Sequence, residues 1–237
     1  MSYMLPLSIC QVGWVMSDQD GGDLGGRQMY LPQGLEVKDP NTLFEIIEGH
    51  PFATVVAIGE GQPLVNHLPI VAEKSENGKL TLWGHMAKRN PQWQHFKQKS
   101  PVTIAFHGPN AYINPNWYSE NDVPTWNYIA VQATGFATVI EDVEGIKSIL
   151  QKTTDLMNRQ HEDQWEFYLP PDLSAEKDIT SAIVGFSMVP EKLIGKFKLS
   201  QNRILADRKG VIEGLKSRGD DWSRGVREWM LRLTEEK

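Results

Sequence analysis

The stretch Trp83-Gly84-His85-Met86-Ala87-Lys88-Arg89-Asn90-Pro91-Gln92-Trp93 concentrates the residue types from which an anion site is built. The apolar run ending at Trp83 reads as the end of a strand, and Gly84 to Arg89 as a small cationic turn. Asn90 is a good helix N-cap and Pro91 a good first helical residue. Together these features place backbone N–H groups and two positive charges at one point, as a phosphate requires. The same residues also fit a solvated basic turn between two ordinary elements, and the stretch taken alone favours that plainer reading. A second segment far downstream, Lys196-Phe197-Lys198-Leu199-Ser200-Gln201-Asn202-Arg203, shifts the balance.

Three histidines stand near these segments. His67 lies mid-strand in "LVNHLPI" and His85 at the end of the adjacent hairpin strand, so both could face one pocket. His107 ends a later strand beside Gly108. Their spacing matches no zinc motif and no Cys or Glu cluster accompanies them, so hydrogen bonding suits them better than metal ligation. No GxSxG, GxGxxG or Walker loop is present, and the acidic residues fall mainly in caps and solvated faces. The aromatic loop 106–128 carries Tyr112, Trp117, Trp126 and Tyr128. These either bury apolar area at an interface or line a slot for a flat ligand such as a nucleotide or flavin.

The elements that must position these residues can be read from local signals. Asp39-Pro40 starts a helix with Leu43, Phe44, Ile46 and Ile47 on its apolar face, ended by Gly49 and Pro51. Phe52–Ile58 and Leu64–Val71 read as strands, and Asn77-Gly78 joins the second to Lys79–Trp83 through a tight hairpin. A short helix near Pro91–Lys97 and a strand at Val102–Phe106 follow. Residues 107–126 read as an irregular loop, Tyr128–Ile140 as a long strand, and Asp142 as the cap of a second long helix. Trp165, Tyr168 and Pro170-Pro171 mark a linker to a strand at Ile183–Val189. The chain closes with two amphipathic helices, Val211, Ile212 and Leu215 facing inward in the first and Trp222, Val226, Trp229 and Leu233 in the second. Short antiparallel strands with scattered helices indicate a mainly β class, a small barrel with helical additions.

Composition bounds the reading. With 237 residues and 40% hydrophobic content the chain can bury a substantial core. The formal charge of −6 argues against a surface that tracks nucleic acid throughout, although a local basic patch remains compatible with it. A single cysteine, Cys10, excludes an internal disulfide, and no run has the length of a membrane span, so a cytoplasmic setting is expected. Three sections are expected: a flexible Gly-rich N-terminal extension over 1–28, a barrel domain over 29–200 and a helical extension over 201–237.

The blocks "MYLPQGLEVKD", "HPFATVVA", "NHLPI", "GHMAKRNPQW", "GPNAYINPNWY", "VPTWNYIAVQATG", "AIVGF" and "GKFKLSQNR" followed by "ADRKGVIEGL" occur in this order. They resemble the PaiB-type, FMN-binding negative transcriptional regulator family from Met29 to about Leu215. That family is similar to pyridoxamine-phosphate oxidases. The resemblance implies an FMN-binding split barrel, a homodimer and an FMN site at the dimer interface. By carry-over, Val65, Asn66, His67 and Leu68 line the isoalloxazine and ribityl chain. His85, Met86, Ala87, Lys88 and Arg89, with Asn90 closing the turn, hold the phosphate. Trp126 and Tyr128 approach from the second subunit. Lys196, Lys198, Gln201 and Asn202 either complete the partner's pocket or pin the C-terminal helices to the barrel. Ala87 stands where many split barrels carry Ser or Thr, which removes one hydroxyl contact worth about 1 kcal/mol.

Two functions from different classes follow. The resemblance implies a dimeric, FMN-binding repressor, with DNA as a candidate partner through Lys196, Lys198, Arg203, Arg208, Lys209, Lys216 and Arg218; the alternative for that cluster is an ordinary solvated surface. The alternative function is an FMN-dependent oxidoreductase, with His67 or His85 as proton donor. Haem handling, which some split barrels perform, ranks last.

Overall fold

Side-chain caps set the starts of the first and third helices. In the computed structural model, which describes residues 29–120, 122–162, 164–167 and 180–235, α1 (Pro40–Gly49) begins where Asp39 accepts from the Thr42 N–H at 2.7 Å. The helix α3 (Val143–His161) begins likewise, Asp142 accepting from the Gly145 N–H at 2.8 Å. Around them run β1 (Glu36–Val37), β2 (Phe52–Gly59), β3 (Gln62–Lys74), β4 (Leu80–Ala87), α2 (Gln92–Lys97) and β5 (Pro101–Ile113). Then come a 3-10 turn at Pro115–Trp117, β6 (Thr125–Ile140), β7 (Ile183–Met188), β8 (Lys192–Lys198), α4 (Leu205–Arg218) and α5 (Asp221–Glu235). The described residues from Leu31 onward form one compact unit. The expected extension over 1–28 and the linker residues Tyr168, Pro170 and Pro171 lie outside the described residues.

All strand pairs are antiparallel, in the order β1-β8-β6-β5-β2-β3-β4-β7, and a further β6–β7 pairing closes a ring of six strands. The ring closes because β6, 16 residues long, changes partner along its length. Tyr128–Thr134 pair with β8, and Ala137–Ile140 pair with β7. Closure removes exposed edges from the ring, and β8 with β1 extends one wall beyond it.

Several strands run past their expected ends. Gly84 is a buried mid-strand residue of β4, opposite Ile70 and Phe186, rather than part of a turn. A Cβ there would sit 2.5 Å from the Phe186 ring and 2.8 Å from Ile70, so this glycine serves close packing. β5 continues from His107 to Ile113 through a register shift between His107 and Asn110, where Gly108-Pro109 form a bulge that reads as a loop in sequence. Among the described residues, the stretch between β5 and β6 is irregular apart from the 3-10 turn. β8 was not expected as a strand, because its lysines read as a basic motif. α2 starts at Gln92 rather than Pro91, with Asn90 Oδ1 accepting from the Gln92 N–H at 3.0 Å.

The barrel interior is filled by Val55, Ile70, Leu82, Ile104 and Phe186, and Phe96 of α2 meets Phe186 edge-on with ring centroids 5.2 Å apart. Each such side chain contributes about 1.5–3 kcal/mol by leaving water. Val211, Leu215, Val226, Trp229 and Met230 from α4 and α5 join the same core. Trp229 lies edge-on to Phe197 of β8 with centroids 5.2 Å apart. Trp222, expected to face inward, is 54% exposed. Gly210 and Gly214 of α4 seat Trp117, whose carbonyl oxygen and indole would lie 2.0 and 2.2 Å from added Cβ atoms.

Candidate functional site

Strand alternation divides the expected site residues. On β3, Val65 and His67 face outward, whereas Asn66 and Leu68 pair with the buried Val55 and Ala53 and turn toward the core. Four consecutive strand residues cannot share a face, so only half of that block presents side chains to an outside ligand. β4 divides the same way, with Met86 buried in the core and His85 and Ala87 on the other side.

The outward face gathers residues from five strands. The Thr54 hydroxyl of β2 lies 3.1 Å from His67 Nδ1 and 3.3 Å from His107 Nε2. The Phe52 ring lies 6.2 Å from that of His67. His107 pairs with Ala130 and Ala130 with Lys196; Asn110 pairs with Tyr128 and Tyr128 with Lys198; Tyr112 pairs with Trp126. Residues directly opposite in a ladder point to the same side. Val65, His67, Trp126, Tyr128, Lys196 and Lys198 therefore share one face. Thr54 and Phe52 were missed in sequence because they sit in an apolar run, where only the period-two alternation marks them. His67 meets His107 through Thr54, and His85 lies on the outward side of the neighbouring β4. His85 is half-buried, its Nδ1 has no hydrogen-bond partner among the described residues, and burial pushes its pKa below the ordinary imidazole value.

The cationic side of the face is dense. Lys196 is only 8% exposed and its Nζ lies 5.6 Å from the Tyr128 ring centroid. Lys198 donates to the Thr125 hydroxyl at 2.6 Å, and among the described residues no carboxylate pairs with it. Burial pushes its pKa below the usual lysine range, and the neighbouring Lys196 and Arg203 charges push in the same direction. Arg203 is paired with Asp122 and lies 4.7 Å from the Tyr118 ring. In the loop that follows, Gln201 accepts from the Leu199 N–H at 2.7 Å and donates to the carbonyls of Phe197 at 2.5 Å and Gly34 at 3.2 Å. Ser200, buried at φ 59°, exchanges hydrogen bonds with the Asn127 amide. These two residues pin the loop to the turn before β1, to β8 and to β6, while Asn202 is exposed.

The 88–90 turn differs from its sequence reading. The Lys88 N–H donates to Ala182 O at 2.8 Å and the Asn90 N–H to Ala87 O at 2.9 Å. With the Gln92 N–H bonded to Asn90, three backbone donors of this turn are spent within the protein. At six residues α2 is too short to act as an anion site of its own. Attraction for an anion rests on the exposed Lys88 and Arg89 side chains, and Lys88 lies 4.0 Å from Glu141, which Lys97 also contacts. Gln92, fully buried and unremarked in sequence, fixes the turn. It accepts from Asn66 Nδ2 at 2.9 Å and donates to Val55 O and Leu64 O at 3.0 and 2.9 Å.

A flat sheet face with two imidazoles, exposed aromatic rings and buried lysine charge fits a planar, anionic ligand. Among the described residues no group of three His, Cys, Asp or Glu side chains is placed to hold a metal, and no helix is long and apolar enough to cross a membrane. Residues 29–192 match the family described as "Putative FMN-binding domain". The chain belongs to this FMN-binding family. The "Protease synthase and sporulation protein PAI 2" of Bacillus subtilis is 33% identical over 207 residues, covering 85% of this chain and 96% of that protein. Two solved structures share the fold. One is the FAD and heme binding protein from Mycobacterium smegmatis, with TM-score 0.52, 14% identity and coverage of 69% of this chain and 73% of that one. The other is the flavocytochrome Anf3 from Azotobacter vinelandii, with TM-score 0.51, 16% identity and coverage of 69% of each chain. The closed ring of this family member is a split barrel, the fold it shares with these two proteins.

Proposed function

We propose that the chain binds FMN on the outward face of β3, β2, β5, β6 and β8 as a cytoplasmic homodimer and acts as a negative transcriptional regulator. The observation that carries the FMN site is Lys198, a half-buried charge whose hydrogen-bond partner is the neutral Thr125 hydroxyl. An anionic ligand there would relieve the cost of burying that charge. Val65, His67, Trp126 and Tyr128 would bound the ring system, Lys196 and Lys198 would hold negative charge, and Lys88 and Arg89 would hold the phosphate. Bound FMN supplies reversible redox chemistry. A second copy on this face would cover Phe52, Val65 and Trp126, which are 68%, 52% and 49% exposed. The regulatory role rests on the resemblance to PaiB-type regulators, and the Bacillus relative's name refers to protease synthesis and sporulation. Direct DNA contact has weaker support, because Arg203 is paired with Asp122, Lys216 lies 3.9 Å from Glu213, and Arg218 is held by the Tyr112 carbonyl and the Trp117 ring.

Flavin fluorescence quenching during FMN titration tests the site. Lys88→Ala and Lys198→Ala should each weaken binding about tenfold, the worth of one charge-assisted hydrogen bond. Unchanged affinity in both variants would overturn the assignment. Sedimentation at micromolar concentration tests the dimer, and a salt-sensitive gel shift tests DNA contact.

The Thr54 hydroxyl between two imidazoles supports the second reading, an FMN-dependent oxidoreductase. Its single proton can be donated to one ring while its oxygen accepts from the other, so the trio can move a proton across the face. Turnover of a reduced nicotinamide by FMN-loaded protein, lowered in Thr54→Val, would favour this reading. Absence of turnover would count against it.

A further inference from the structure

The two C-terminal helices border an open-mouthed cavity of about 390 Å³ that lies outside the FMN face. Its walls are mainly apolar, with Leu205 and Ile212 from α4 and Leu231 from α5, and its polar residues include Arg208 and Thr234. Leu205, Arg208 and Ile212 recur at helical spacing, which places them along one side of α4.

Arg208 is the unusual member. Its Nη2 donates to the Thr234 hydroxyl at 2.6 Å, while its Nε is buried with no hydrogen-bond partner. Among the described residues no carboxylate pairs with it. Glu213, also on the cavity wall, lies 3.9 Å from Lys216. A guanidinium stays charged at every physiological pH and offers only donors, so an anionic group is its natural complement. Apolar walls around such a group complement a ligand with a hydrocarbon body and one negative head.

We propose that this cavity binds a small amphiphilic carboxylate, with the acyl chain against Leu205, Ile212 and Leu231 and the carboxylate on Arg208. The helix that supplies Leu231 also carries Met230, whose sulfur lies 3.7 Å from the Asn127 amide between Trp126 and Tyr128.

The experiment uses the full chain with 1-anilinonaphthalene-8-sulfonate as fluorescent probe and octanoate as competitor. Octanoate should displace the probe, octylamine at the same concentration should not, and saturating FMN should leave the probe in place. Arg208→Gln and Leu205→Glu should each weaken octanoate about tenfold. Leu205 is 56% exposed, so its variant tests the site without disturbing the core, and thermal melting checks folding in both. Equal competition by octylamine, displacement by FMN, or unchanged octanoate affinity in both variants would overturn the proposal.

Discussion

Gln92→Met probes the link between the barrel and the turn that carries Lys88. The wild-type amide makes three hydrogen bonds, to Asn66 Nδ2, Val55 O and Leu64 O, from a fully buried position. Methionine has nearly the same length, cannot donate to either carbonyl, and offers Asn66 only a weakly accepting sulfur. At about 1 kcal/mol net for each bond, the loss is about 3 kcal/mol. For a chain of this size that corresponds to a fall of about 6–12 °C in melting temperature. Urea unfolding followed by tryptophan fluorescence should show a lower midpoint with an unchanged slope, because the same surface becomes exposed. Asn66→Ala removes one of the three bonds, so it should cost about 1 kcal/mol alone and add little to Gln92→Met. A Gln92→Met stability within about 1 kcal/mol of wild type, below the summed worth of its bonds, would refute this role of Gln92. The role also fails if the two substitutions are fully additive.

Two further perturbations test other parts of the same region. Gly84→Ala places a methyl group 2.5 Å from Phe186 and 2.8 Å from Ile70 in the closed barrel, and should destabilise by about 1–3 kcal/mol in equilibrium unfolding; a neutral result would mean that Gly84 is not needed for packing. Burial holds the His85 pKa in the folded chain below its ordinary value of 6.5, so as pH falls through that value the unfolded chain takes up a proton that the folded chain refuses. Stability should therefore drop from pH 7.5 to 5.5 by more in wild type than in His85→Leu; equal drops would refute the assignment.

The parts of this fold that were legible in sequence are those closed by nearby residues. Asp142 caps α3 through a bond to Gly145, three residues on, and Gly78 takes the positive φ of 81° that the Asn77-Gly78 turn requires. The barrel class and the FMN-binding family were also legible, the first from strand patterning and the second from ordered blocks. β8 was not. Its Lys196 and Lys198 look like a solvated basic motif until β6 pairs with them, and Gly195 is needed because a Cβ there would lie 2.2 Å from Leu43 of α1. That constraint comes from a helix about 150 residues earlier in the chain and leaves no local trace.

The candidate site shows the same division at finer scale. A motif such as "VNHLPI" identifies a stretch of backbone, but the strand period then selects which side chains a ligand can meet. Val65 and His67 are offered outward, while Asn66 is turned inward and committed to Gln92. The partner of His67 is decided by register alone. Thr54 reaches it across β2 and β3, and the same hydroxyl reaches His107 across β5, so two rings 40 positions apart meet at one oxygen. Shifting either ladder by one residue would turn one ring to the opposite face and leave the other in place. Ligand chemistry on this face therefore depends on β-sheet register as directly as on the identity of the histidines.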